Sequence, residues 1–200
     1  MIPLLTVFAG LLAGCSVPTT PTAAAAVKVD QAAPDFTLTD LEGTAHTLSA
    51  YQGKTVVLEW FNPGCPFVVA AHDGGPLGDL AAKQSDDVVW LAINSGAPGK
   101  QGHGVEANKK AAGDWSMKHP ILLDESGEVG KLYGATNTPQ MVVIDAQGLV
   151  QYQGALDNAP LNEVKGKNRI PYTANAIAAV LKGENPEPDQ TKAWGCSVKY

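Results

Sequence analysis

The fold of this chain is decided by the segment 56–68, which reads Val56-Val57-Leu58-Glu59-Trp60-Phe61-Asn62-Pro63-Gly64-Cys65-Pro66-Phe67-Val68. The mainly apolar run over 56–61 is typical of a buried strand, and Asn62-Pro63-Gly64 ends it. A helix-permissive sequence follows. Cys65 is therefore predicted at a strand-to-helix junction, with Pro66 in the first helical position, where the N–H that proline lacks costs nothing.

This position favours a reactive sulfur at Cys65. The first turn of a helix offers unpaired backbone N–H groups and the positive end of the helix dipole, and both stabilise a thiolate, which is the nucleophilic form. An unperturbed thiol, with a pKa of ~8.5, is only a few per cent ionised at neutral pH. We expect Cys65 to be ionised and reachable from solvent. The alternative is a small buried hydrophobic cysteine, although the flanking prolines and glycine argue against it.

Composition predicts one globular domain and excludes several functions. The 200 residues are 44% hydrophobic and 17% charged, enough for a single domain with a real core. A net charge of −6 without a basic run argues against nucleic-acid binding. His46, His103 and His119 lack metal-ligand spacing. The glycine-rich run 96–104 lacks the Lys-Ser/Thr of a phosphate loop. We expect no cofactor and no metal.

The N-terminus is typical of an exported protein. The apolar run 2–12 is too short to span a bilayer but has the length of a signal-peptide core. Leu12-Ala13-Gly14-Cys15 resembles the lipobox of bacterial lipoproteins, which implies cleavage before Cys15 and lipidation of its thiol, although no Lys or Arg precedes the apolar run. Ser16 then favours the outer membrane. The alternative is an ordinary signal peptide with an incidental cysteine. Either way, the mature protein is expected in the cell envelope, facing the periplasm, where disulfides persist.

Four segments follow from these patterns: a lipoprotein signal peptide over 1–14, a low-complexity tether over 15–32, a domain over 33–183 and a tail over 184–200. Prolines in the tail predict irregular structure there, and the tail carries Cys196.

Hydrophobic patterns predict an α/β fold. Strands are expected over 33–48 (as a hairpin), 56–61, 88–93, 121–123 and 140–153 (as a second hairpin), and helices over 67–83 with a break at 74–76, 105–117, 128–133 and 173–182. Strands that alternate with helices and close with a hairpin imply a mixed central sheet with helices on both faces and an N-terminal β-hairpin extension.

From about residue 33 to the end, the chain resembles the thioredoxin fold in its redoxin (AhpC/TSA-like) branch. Besides the Cys65 motif, Thr138-Pro139 before a strand resembles the cis-proline of that fold, a loop that packs against the active cysteine and receives the substrate disulfide. A cis peptide bond has a small energetic cost only before proline, where it lies ~0.5–1 kcal/mol above the trans form. A trans proline opening the strand is the alternative. The end of the chain, 195–200, resembles the terminal motif of one redoxin group whose active site reads Gly-Cys-Pro-Phe.

Three departures separate this chain from the best-known patterns of that branch. Val68 stands where thioredoxins carry their second cysteine. Asn62 stands where peroxiredoxins carry Thr or Ser, and the single arginine, Arg169, matches no peroxiredoxin motif. These changes weaken a peroxidase assignment, although the Asn62 amide can still donate to a peroxide.

Cys196 is the candidate resolving thiol. A thiolate that attacks a disulfide or a peroxide becomes a mixed disulfide or a sulfenic acid, which a second thiol must release. The 15 residues from Leu181 to Cys196 can span up to ~50 Å, so reach is no obstacle. We expect Cys65 to attack and Cys196 to resolve, with an unknown electron donor. A permanent structural disulfide is the alternative.

His72 shares the face of Cys65 to within ~20° if the helix continues. We expect it either to tune the thiolate or shuttle a proton, or to be an ordinary histidine that is solvated or has its N–H satisfied by a hydrogen bond. A hypothesis of another class is a non-catalytic lipoprotein that uses the redoxin scaffold to bind a partner, or a metal such as copper, through Cys65 or His72.

Overall fold

The computed structural model describes residues 25–164 and 166–200. The predicted signal peptide, Cys15 and most of the predicted tether lie outside the described residues. In the described part, the strands are β1 (Thr37–Asp40), β2 (Ala45–Thr47), β3 (Thr55–Trp60), β4 (Val88–Asn94), β5 (Ile121–Leu123), β6 (Asn137–Thr138), β7 (Gln140–Ile144), β8 (Val150–Gly154) and β9 (Cys196–Ser197). The helices are α1 (Pro66–His72), α2 (Pro76–Ala82), α3 (Val105–Asp114), α4 (Glu128–Leu132) and α5 (Tyr172–Leu181).

Seven strands form one mixed sheet in the order β2-β1-β5-β4-β3-β7-β8. The strand β3 lies parallel to β4, with Leu58 opposite Leu91, and antiparallel to β7, with Leu58 opposite Val142. The hairpin β1–β2 adds to the edge of β5. The α/β fold with a mixed sheet and an N-terminal hairpin is therefore confirmed.

The core lies on both faces of β3, because successive side chains of a strand point to opposite faces. Val56, Leu58 and Trp60 pack in one cluster together with residues of α4, whereas Val57 packs with residues of α1, α2 and α5. Burying a large apolar side chain contributes ~1.5–3 kcal/mol. Helices therefore cover both faces, and β3 is held rigidly at the centre.

The folded part begins earlier than predicted. Val27 is only 7% exposed and belongs to the core, and its N–H donates to the Leu132 carbonyl oxygen at 2.9 Å. The Asp30 N–H donates to the Val150 carbonyl oxygen at 2.8 Å. The predicted boundary between tether and domain at residue 33 is therefore wrong, because the end of the low-complexity stretch supplies apolar side chains to the sheet.

Two other expectations need correction. The helix α3 ends at Asp114 rather than near Met117, and Ser116 has a positive φ of 52°, which a continuing helix does not allow. The tail is not wholly irregular, since β9 pairs antiparallel with β6. Among the described residues, no helix combines the length and the apolar character needed to cross a bilayer.

Candidate active site

The predicted strand-to-helix junction is present at Cys65. The strand β3 ends at Trp60, Cys65 is the N-cap residue of α1, and Pro66 is its first helical residue. Asn62 shapes the connecting turn: its Oδ1 accepts from the Gly64 N–H at 2.8 Å, and its Nδ2 donates to the Gln101 carbonyl oxygen at 3.2 Å. Asn62 therefore holds the turn, and none of its recorded hydrogen bonds reaches the Cys65 sulfur.

The Cys65 sulfur is buried, so the expectation that solvent reaches it directly is wrong. Cys65 is 0% exposed and packs with Phe61, Val68 and Ala111, while Cys196 packs against the same cluster. Its Sγ donates to the Thr138 carbonyl oxygen at 3.2 Å. The local sequence shows what precedes and follows Cys65, but not the distant segments that cover it.

Thr138 and Pro139 form the second wall of the site. The Thr138–Pro139 peptide bond is cis, as the resemblance implied. In the strand β6, Thr138 lies opposite Cys196 of β9. The structure thus brings together Cys65, Thr138, Pro139 and Cys196, whereas Asn62 lies at the turn below them.

The two cysteines are free thiols that pack in the same cluster, and their pKa values are shifted in opposite directions. Burial raises the pKa of Cys65, but the interactions with Cys196, Thr138 and the Val68 N–H outweigh it, so the pKa lies below its ordinary value. Burial, together with the hydrogen bond and the charge of Cys65, raises the pKa of Cys196 to about 11. Cys65 is therefore the thiol that ionises first, while the neighbouring Cys196 stays protonated.

A buried, hydrogen-bonded pair of Glu59 and His72 lies behind the site, and sequence reasoning missed Glu59. The side chains of Glu59 and His72 are both 0% exposed, and His72 Nε2 lies 2.9 Å from Glu59 Oε1. Trp90 Nε1 donates to the other carboxylate oxygen at 3.0 Å. Burial raises the pKa of Glu59, but His72 lowers it more, so the carboxylate stays ionised. A charged residue within an otherwise apolar strand was the signal for Glu59.

His72 touches the walls of the site, and of its two ordinary alternatives the structure shows the hydrogen-bonded one, with Nε2 bonded to Glu59, rather than the solvated one. Its ring stacks on Trp115 with centroids 4.9 Å apart and meets the edge of Phe61, which in turn packs with Cys65. The recorded hydrogen bonds of His72 do not reach Cys65. The Glu59–His72 pair therefore supports the floor of the site.

Arg169 serves another part of the fold. Its Nη1 lies 2.6 Å from Asp157 Oδ2, and its other recorded hydrogen bonds reach Asn162. His46 bonds to Asp40 and His103 bonds to Glu125. Over the described ranges, His, Cys, Asp and Glu side chains form no cluster of three or more that suits a metal ion.

Comparison with known proteins places this geometry among the redoxins. The Redoxin family model matches residues 28–167. The chain is 35% identical over 127 residues to a protein from Geobacillus thermodenitrificans named thiol-disulfide oxidoreductase ResA, covering 63% of this chain and 68% of the relative.

Solved structures agree on the fold. An uncharacterised conserved protein from Geobacillus kaustophilus is 28% identical with a TM-score of 0.75, covering 86% of this chain and 92% of that one. The exposed lipoprotein thioredoxin Etrx1 from Streptococcus pneumoniae is 25% identical with a TM-score of 0.55, covering 75% of this chain and 99% of that one. The thioredoxin-like fold is confirmed.

Proposed function

The chain belongs to the Redoxin family, and we propose that it is a thiol-dependent oxidoreductase in which Cys65 attacks a disulfide or a peroxide and Cys196 resolves the product. The observation that carries this proposal is the placement of the two thiols: Cys196 lies opposite Thr138, the Cys65 sulfur lies 3.2 Å from the Thr138 carbonyl oxygen, and Cys196 packs against the cluster that contains Cys65. The pKa of Cys65 is lowered and that of Cys196 is raised, which agrees with these roles. One thiol is thus prepared to attack, and the other stays protonated until it is needed.

The order of steps follows from electrostatics. With a hydroperoxide, the Cys65 thiolate forms an S–O bond, the O–O bond breaks, and the alkoxide leaves as an alcohol after taking up a proton. The Cys65 sulfenic acid carries no negative charge, so the charge effect that raised the pKa of Cys196 disappears. Cys196 then loses its proton more readily and attacks Cys65. An S–S bond forms and water leaves.

With a disulfide substrate, the same thiolate forms a mixed disulfide and expels one substrate thiol. Cys196 then attacks the Cys65 sulfur and releases the second thiol. In both cases two electrons pass from the two cysteines to the substrate, and an external dithiol returns them by exchange. The lowered pKa makes Cys65 the better leaving group when the Cys65–Cys196 disulfide is reduced.

We also propose that the mature protein faces the periplasm on a lipid carried by Cys15. The apolar run 2–12 and the lipobox-like residues before Cys15 support this. The ten residues from Cys15 to the first described residue, Ala25, span at most ~35 Å, so the domain would stay near the membrane. In cell fractionation, Cys15→Ser should release the protein from membranes. Ser16→Asp should move it from the outer to the inner membrane. If both variants distribute like the parent chain, the proposed lipid anchor on Cys15 is contradicted.

Intact mass with thiol counting tests the redox proposal. In the full chain with Cys15→Ser, one equivalent of hydrogen peroxide or of a small disulfide should join the two remaining thiols in a disulfide. No free thiol should then be counted, and the mass of the chain should fall by two hydrogen atoms. The Cys65→Ser chain should keep its Cys196 thiol, and the Cys196→Ser chain should accumulate a sulfenic acid or mixed disulfide on Cys65. Two free thiols after oxidation of the chain that retains both cysteines would refute the proposal.

A further inference from the structure

The end of the chain occupies the backbone edge beside the active cysteine. We name residues 194–200 the strap. Its strand β9 pairs with β6, Asn137 Nδ2 donates to the Gly195 carbonyl oxygen at 3.0 Å, and the Val198 N–H donates to the Thr136 carbonyl oxygen at 3.0 Å. The backbone edge just before Pro139 is therefore paired with the protein's own last residues.

An open strand edge binds extended peptides through the same backbone hydrogen bonds. The strap fills this edge and places a cysteine, Cys196, opposite Thr138 and against the cluster that contains Cys65, whose sulfur bonds to the Thr138 carbonyl oxygen. It thus occupies the position of an extended polypeptide whose cysteine is presented to Cys65.

Side chains at both ends anchor the strap. At one end, Trp194 Nε1 donates to the Asp157 carbonyl oxygen at 2.6 Å, and its ring lies 6.1 Å from that of Phe67. At the other end, Tyr200 Oη donates to the Ala135 carbonyl oxygen at 2.7 Å. The Tyr200 ring lies so close to Gly130 that a Cβ there would be 2.5 Å from its Oη. The socket for Tyr200 therefore requires a glycine.

Gly195 permits the closest approach. Its φ of 121° is unfavourable for other residues, and a Cβ at this position would clash with the Thr138 carbonyl oxygen. The strap is thus fitted to the active-site loop along its length.

We propose that the strap is an internal substrate strand: while it is docked, small oxidants reach Cys65 and a disulfide carried by a protein does not. The inference rests on the proposed role of Cys65 as the reactive thiol. A protein disulfide needs the edge of β6 and an in-line path to the Cys65 sulfur, and the strap takes both. A small hydroperoxide or disulfide needs only a local displacement of the Cys196 side chain, which then remains in place to resolve the product.

The test compares the rate of Cys65 oxidation by a small and a macromolecular disulfide in the reduced full chain with Cys15→Ser. The probes are hydroxyethyl disulfide and insulin, and quenched samples are followed by peptide mass spectrometry. Tyr200→Ala removes one anchor. Lys192→Ala is the matched control, since this side chain lies just before the strap, is exposed, and has no recorded hydrogen bond or ion pair with the described residues.

Insulin should react at least about tenfold more slowly than hydroxyethyl disulfide with the parent and Lys192→Ala chains, and Tyr200→Ala should raise the insulin rate about tenfold. The rate with hydroxyethyl disulfide should change far less. The inference is overturned if insulin reacts with the parent chain as fast as hydroxyethyl disulfide does. It is also overturned if insulin reacts at the same rate with Tyr200→Ala and Lys192→Ala once release of the strap in Tyr200→Ala has been verified. No oxidation of Cys65 by either probe in any chain would instead overturn the proposed function.

Release of the strap is verified independently. Hydrogen exchange at the Val198 amide, which is bonded to Thr136, should accelerate in Tyr200→Ala. If this amide stays protected, a chain that ends at Val198 replaces Tyr200→Ala, and the same comparison of insulin rates decides.

Discussion

Removing the Cys196 thiol should raise the pKa of Cys65. Burial of Cys65 raises its pKa, whereas the interactions with Cys196, Thr138 and the Val68 N–H together lower it further than burial raises it, with Cys196 the largest of the three. A hydrogen bond to a charged group is worth about 1.5–3 kcal/mol. Water that enters the gap left by Cys196→Ala recovers part of this. A net loss of about 1.4 kcal/mol corresponds to a tenfold smaller ionisation constant of the Cys65 thiol.

The assay is a pH titration of thiolate ultraviolet absorbance in the Cys15→Ser chain. The matched control is Cys196→Ser, because serine keeps an O–H donor in nearly the same place. Cys196→Ala should shift the Cys65 titration to higher pH, and Cys196→Ser should leave it close to that of the parent chain.

Two results would refute this reasoning. An unchanged titration in Cys196→Ala would show that the contact between the thiols does not stabilise the thiolate. An equal shift in the alanine and serine chains would assign the effect to altered packing rather than to the lost donor.

Other parts of the structure make further predictions. Glu59→Gln breaks the buried pair with His72 and should lower the free energy of unfolding by roughly 3–5 kcal/mol in urea denaturation. A loss of stability no larger than that of an exposed substitution would show that the pair does not stabilise the fold. Folding lowers the pKa of Glu59 below its ordinary value of 4.5. The ionised Glu59 therefore stabilises the folded chain fully above pH 4.5, and this contribution is lost as the pH falls through the folded pKa. The free energy of unfolding of Glu59→Gln should lack this acid dependence. Burial lowers the pKa of His119 below 6.5, so the unfolded chain takes up a proton first as the pH falls through 6.5 and stability drops; unfolding measured from pH 7 to 5 should show a smaller drop in His119→Gln, and an equal drop would contradict this. Gly195→Ala should undock the strap at a cost of about 1–3 kcal/mol and speed iodoacetamide labelling of Cys65 several-fold; unchanged labelling would show that the strap does not cover the sulfur.

The strand-to-helix junction was predictable because its determinants are local. The apolar run of β3, the Asn62-Pro63-Gly64 break and the helix-starting Pro66 all lie within a dozen residues. The break between α1 and α2 is signalled equally locally by Gly74-Gly75-Pro76. Such features need no knowledge of the rest of the chain.

The features that sequence reasoning missed depend on contacts between distant residues. The strand β9 is two residues long, and the loop of β6 stabilises it rather than any propensity of its own. Burial of Cys65 likewise comes from Thr138 and Cys196, which lie far along the chain. The early start of the folded part at Val27 has the same cause, because an uncharged, low-complexity stretch does not show by itself that its last residues pack against the domain.

The reduction potential of the Cys65–Cys196 disulfide tests the central claim most directly. Equilibration of the Cys15→Ser chain with defined ratios of reduced and oxidised glutathione, and with dithiothreitol for the lower potentials, gives this potential by thiol counting. A cycling pair should have a potential above about −300 mV, because the stabilised Cys65 thiolate favours the reduced form. A potential below about −300 mV would make the bond a structural clamp, and failure to form the disulfide at any ratio would contradict the two-cysteine cycle.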